Sequence, residues 1–96
     1  MASIEIQFPK QEKLSQPRVT DLVFTIISRF PDLLDDLFSQ HPEFDDNGHV
    51  AGYVMELTTK DDTDVARRVL DAEAAIRSFL ESMGYVIGRI VMQESN

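Results

Sequence analysis

Ninety-six residues are enough chain for one domain that buries about two-thirds of its unfolded surface around a single core. Seventeen Asp and Glu stand against nine Lys and Arg, a net charge of −8, and 43% of the residues are hydrophobic. That is too apolar for a disordered segment and too acidic for a protein that holds nucleic acid by neutralising phosphates. With no cysteine there is no disulfide scaffold, thiolate metal site or thiol nucleophile. No apolar run approaches the roughly 18 residues of a membrane span, and residues 1–8 lack the basic-then-apolar plan of a secretory signal. A soluble, cytoplasmic single domain over 1–96 is expected, with a polar tail at 93–96 and neither nucleic acid nor membrane as a direct partner.

Ser3 to Phe8 alternates with period two, Ile4, Ile6 and Phe8 against Ser3, Glu5 and Gln7, and reads as a half-buried strand that Pro9 ends. From Val19 the period becomes helical. Val19, Leu22, Val23, Ile26, Ile27, Phe30, Leu33, Leu34, Leu37 and Phe38 form one unbroken stripe. Pro17 suits a first-turn position, and Pro31, which cannot donate to residue 27, predicts a kink or break near Phe30. Pro42 and Asp45-Asp46-Asn47-Gly48 mark a turn. His49 to Thr59 alternates again, with Ala51, Tyr53, Met55 and Leu57 on one face. Asp61 to Asp64 supplies N-cap types for a second helix, whose stripe runs through Val65, Val69, Ala72, Ile76, Phe79, Leu80 and Met83 to a left-handed cap at Gly84. Tyr85 to Met92 then reads as a strand apolar on both faces and therefore central in its sheet.

The predicted class is α+β, a two-layer sandwich of β-α-β-α-β order with two helices on one face of a small sheet, and helices long enough to cross over to parallel neighbours. This layout resembles the ferredoxin-like fold with one strand short or missing. The stretch from Phe38 to Glu43 is where that strand would lie if the first helix ended early.

Chemistry-bearing patterns are sparse. No serine sits in a Gly-x-Ser-x-Gly elbow, and no base is visibly held by a third group, so catalysis is not expected. His41, Glu43, Asp45, Asp46 and His49 fall within nine residues, but their spacing matches neither a His-Glu-x-x-His helix nor a calcium loop. A polar turn accounts for them, and neither metal nor cofactor is expected. The four glycines are scattered and build no phosphate cradle. Asp64–Arg68 and Glu73–Arg77 are i,i+4 pairs that would answer charge locally on the second helix.

Charge distribution is the unusual feature. Between Phe30 and Thr59 lie seven acids (Asp32, Asp35, Asp36, Glu43, Asp45, Asp46 and Glu56) and no Lys or Arg, so this segment holds −7 of the total −8. On a helix, Asp32, Asp35 and Asp36 would project together beside the acidic turn. A solvated face is one explanation. The other is a docking surface formed by Asp32, Asp35, Asp36, Glu43, Asp45 and Asp46 for a basic protein partner, as in an inhibitor or an immunity or antirestriction-type regulator. A second expectation concerns the last strand, where Tyr85, Ile87 and Val91, or else Val86, Ile90 and Met92, would be left toward solvent, and the first set is the expected homodimer interface. The alternative function is a dimeric regulatory domain that senses a small ligand in a pocket lined by Tyr53, Met55 and Tyr85. An enzyme using His41 or His49 is the weakest reading.

Overall fold

The computed structural model describes residues 2–60 and 65–94, with side chains for 3–60 and 72–93. Six elements follow in order: β1 (Ala2–Pro9), α1 (Gln16–Arg29), β2 (Leu34–Phe44), β3 (Val50–Thr59), α2 (Val65–Ser82) and β4 (Ile90–Glu94). The class is α+β, and the four strands form one antiparallel sheet of order β2-β3-β1-β4. This is the complete ferredoxin-like arrangement, so the chain carries one strand more than its β-α-β-α-β reading. That strand is β2.

The added strand and the shortened first helix meet at Pro31. α1 begins with Pro17 in its first turn, and its stripe buries Val19, Leu22, Val23 and Ile26. Pro31 has no N–H for the carbonyl of Ile27, and its ring also drives the preceding residue out of the helical region. Phe30 accordingly sits at φ −126°, ψ 58°, while its N–H makes the last bond to Ile26 at 3.0 Å. The chain turns over Leu33, whose carbonyl accepts from Lys60 N–H at 2.8 Å, and then enters the sheet. Leu33 and Leu34 are buried as the stripe requires, but Leu37 is 62% exposed. The helical phase beyond Pro31 is a coincidence of spacing.

β1 is central and alternates as read. Ile4, Ile6 and Phe8 face the helices, opposite Leu57, Met55 and Tyr53 of β3. On the far side of β1, Ile4 and Ile6 pair with Met92 and Ile90 of β4. With α1 residues on one side and Ala72, Ile76 and Leu80 of α2 on the other, these form the core. Each fully buried aliphatic or aromatic side chain contributes roughly 1.5–3 kcal/mol relative to exposure. Ala51, placed on the same face as Tyr53 by alternation, lies at the strand's exposed end. Gly52 is required where it stands, because a Cβ there would come within 2.3 Å of the Phe8 carbonyl oxygen.

The last strand departs most from its sequence reading. β4 starts only at Ile90, lies at an edge rather than in the centre, and runs antiparallel to β1. Tyr85 to Arg89 is irregular, tied to β1 through Gly88 N–H to Gln7 O and Gln7 N–H to Arg89 O, both 2.8 Å. The expected polar tail begins inside the strand, since Gln93 pairs with Ser3 and Glu94 with Ala2. No strand has a parallel neighbour: β3 lies between β1 and β2. α2 ends before Gly84, at φ 87°, as the sequence indicates. The capping run Asp61 to Asp64 and the side chains of Val65, Arg68 and Val69 lie outside the described residues. No helix among the described residues is long and apolar enough to cross a membrane.

Candidate functional site

The six acids of the predicted docking surface all lie on or beside β2, but an extended strand spreads what a helix would have gathered. Asp32 is in the turn before β2. Asp35 and Asp36 sit in a bulge, where the four steps from Leu34 to Phe38 match only two on β3, from Thr59 to Leu57. Glu43 is near the other end of β2, and Asp45 and Asp46 are in the turn that follows. At about 3.3 Å per residue, Asp36 and Glu43 are roughly 20 Å apart. The single patch expected from the helical stripe is therefore two acidic clusters at the two ends of an edge strand. Asp32, Asp35 and Asp36 do not project beside the acidic turn.

These acids differ in what they do locally. Asp45 Oδ1 accepts from the N–H of Asn47 and of His49, both at 2.9 Å, which fixes the turn around Gly48 (φ 80°). Asp35 Oδ1 accepts from Asp36 N–H at 2.8 Å, and Glu43 Oε1 from Gln7 Nε2 at 2.8 Å on the open side of the sheet. The carboxylates of Asp32, Asp36 and Asp46 make no hydrogen bond or ion pair among the described residues. The one ion pair found there joins His49 to Asp45 at 4.0 Å. No lysine or arginine among the described residues answers any of the six. Several cations are engaged elsewhere: Lys13 Nζ donates to Met83 O at 3.0 Å, Arg77 reaches Gly88 O at 3.4 Å instead of pairing with Glu73, and Arg29 lies 5.6 Å from the Phe30 ring and 5.9 Å from that of Phe79.

Beside its two acidic ends β2 carries exposed apolar side chains, and between them it offers an open backbone edge. Leu37 and Phe44 are both 62% exposed. Phe24 of α1, 54% exposed, packs edge-to-face on Phe38 with ring centroids 5.3 Å apart. Gln40 is held from the helix side by its amide, which donates to Thr20 Oγ1. Lys10 N–H donates to Ala51 O at 2.9 Å, which sets the backbone groups of Tyr53, Met55 and Leu57 toward β1. Their partners on β2, Pro42, Gln40 and Phe38, consequently aim their own backbone groups outward, where the sheet has no further strand. Pro42, lacking an N–H, fits that outward position. Phe44 and Phe24 carry no signal in the sequence, and Leu37 is there a member of the helical stripe. Pro42, expected to mark the turn, lies instead within β2 opposite Tyr53, where a residue without an N–H suits an edge strand.

Residues expected at a dimer interface do not share a face. Tyr85 and Ile87 pack against the core, Tyr85 edge-to-face on Phe8 at 6.5 Å. Val91 instead lies opposite Glu5 on the side of the sheet away from the helices, and Val86 is exposed. That open side carries Glu5 directly across from Glu56, two like charges. Of the residues expected to line a ligand pocket, Tyr53 and Met55 are buried in the core and Tyr85 packs against it. Two open concavities lie elsewhere, one of about 350 Å3 among Arg29, Phe30, Leu33 and Ala72, the other of about 390 Å3 beside Gln7, Glu43 and Gly88. His41 is on the open face opposite Val54 and His49 is in the turn. Among the described residues no three His, Asp or Glu are placed to hold a metal.

No family model matches the chain, and no curated protein is significantly similar to it in sequence. The fold does have solved counterparts. The crystal structure of the Arabidopsis thaliana protein At3g17210 superposes with a TM-score of 0.51 at 10% identity, covering 99% of this chain and 92% of that one. A likeness at that identity defines the two-layer α+β fold and carries no function with it.

Proposed function

We propose that this chain is a small acidic protein-binding module, of the inhibitor or immunity type, which docks a basic partner along β2 without catalysis. The observation that supports it is the pairing of two acidic clusters, in a segment without Lys or Arg, with exposed apolar side chains beside them and an open strand edge between them. Unopposed carboxylates repel one another and cost some stability, whereas a basic partner turns the same charges into steering and specificity. Asp32, Asp36 and Asp46 are the residues best placed to act, since Asp45 and Asp35 already serve the backbone.

The test is association with candidate basic proteins as a function of salt. Replacing Asp32, Asp36 and Asp46 together by Asn is expected to weaken binding about ten-fold or more and to flatten its salt dependence, with the thermal melt unchanged or slightly raised. Tight binding indifferent to ionic strength and to these substitutions overturns the proposal.

A homodimer packed through the sheet is the second reading, favoured by one observation: among the described residues the side of the sheet opposite the helices has no covering layer, and Val91 lies half-buried on it, while Val54 there is already buried by its neighbours. Glu5 and Glu56 of two copies would then meet, so such a dimer should strengthen with added salt. Sedimentation as a monomer at tens of micromolar in both low and high salt removes it.

A further inference from the structure

We propose that β2 is a strand acceptor: its outer edge takes up a short extended segment of a partner, basic at both ends, as a fifth strand of the sheet. This rests on the docking reading above and names the mode of contact and the chemistry of the occupant. Phe38 and Gln40 present both N–H and C=O outward, and Pro42 presents C=O alone, so an added strand finds two donors and three acceptors in register. Unpaired edges of this kind invite strand addition. The bulge at Asp35 and Asp36 and the missing N–H at Pro42 confine the pairing to about five residues, which suits one peptide segment and stops a sheet from propagating.

Charge selects the occupant. An incoming strand centred on Gln40 has its two ends beside Asp35–Asp36 and beside Glu43–Asp46, so lysine or arginine at both ends is answered where the chain itself supplies no cation. A second copy of this chain is disfavoured on the same ground. Antiparallel pairing of two β2 strands about their midpoints sets the Asp35–Asp36 end of one against the Glu43–Asp46 end of the other, and like charges across a ladder are destabilising. Leu37, Phe44 and Phe24 flank the same stretch and supply apolar contact for the residues between the charged ends.

The experiment uses a synthetic peptide with two lysines at each end of an alternating threonine–valine run, and a second peptide of identical sequence N-methylated at alternate residues. Methylation removes main-chain donors and keeps every charge, so it separates strand addition from electrostatic docking. The unmethylated peptide is expected to bind at least about ten-fold more tightly than the methylated one, to lose affinity with salt, and to slow amide hydrogen exchange at Phe38 and Gln40. Equal binding of the two peptides, or protection elsewhere, overturns strand addition while leaving basic docking intact. Binding of neither peptide also overturns it, and salt-sensitive capture of an intact basic protein then decides the broader reading separately. Protection of Phe38 and Gln40 in the protein alone, rising with its concentration, makes a second copy the occupant and overturns the proposal as well.

Discussion

β1 and β2 belong to one sheet, one strand apart, and they are used in opposite ways. β1 has a neighbour on each side and sends Ile4, Ile6 and Phe8 into the core. β2 has a neighbour on one side, is bulged at its start, and leaves Leu37 and Phe44 in solvent. Stability resides in the first strand. The second is freer of structural duty, and it is there that the uncompensated charge is carried. The comparison teaches that the surface least needed for folding is the one with the most unusual chemistry.

Several substitutions would break or sharpen that contrast. Phe8→Ala should cost about 3–5 kcal/mol in urea melts, whereas Phe44→Ala, an aromatic of the same size on β2, should stay within about 0.5 kcal/mol. Comparable losses at the two sites would erase the distinction between the strands. Gly52→Ala brings a Cβ to 2.3 Å from Phe8 O and must force β1 and β3 apart, so a loss of about 1–3 kcal/mol is expected in the same melts. Among the acids, Asp45→Ala removes the acceptor of two backbone N–H groups and should destabilise by about 1–2 kcal/mol, while Asp46→Ala should leave the melting temperature nearly unchanged. That pair separates an acid that builds the turn from one that is free for a partner. Smallest of all is Pro31→Ala. If pairing of β2 with β3 holds residues 34–44 extended, far-ultraviolet circular dichroism should show no gain of helix, and stability should move by less than about 1 kcal/mol. A clear rise in helicity would make the proline alone responsible for the break.

The two segments were unequally legible for a physical reason. An inside-outside strand writes its geometry into the sequence, because burial on one face demands an apolar residue at every second position, and β1 and β3 both show it. An edge strand with one open side meets no such demand. Leu34 to Phe44 shows neither alternation nor a run of β-formers, and Leu37 and Phe38 happen to continue the helical spacing of α1. The stretch from Phe38 to Glu43 was marked only as a place where a strand would fit. The consequence reaches the candidate site: a helix would set Asp32, Asp35 and Asp36 on one face beside the acidic turn, and the strand holds them at its opposite end. Tyr85 and Ile87 failed for a related reason. Apolar residues on both faces implied a central strand, whereas residues 85–89 reach the core as an irregular segment folded over the end of β1.

Local chemistry was therefore determined by the sequence alone. It set the helix break at Pro31, the turn at Asp45 to Gly48, the buried stripe of α1 from Val19 to Ile26, the left-handed residue Gly84 after α2, and the segregation of seven acids into thirty residues without a Lys or Arg. Each of these depends on neighbours a few positions away. Strand order, the edge position of β2 and β4, and the spatial division of the acidic segment were decided by tertiary structure. They depend on which distant segments compete to cover the same apolar face, and that competition leaves no trace in local spacing.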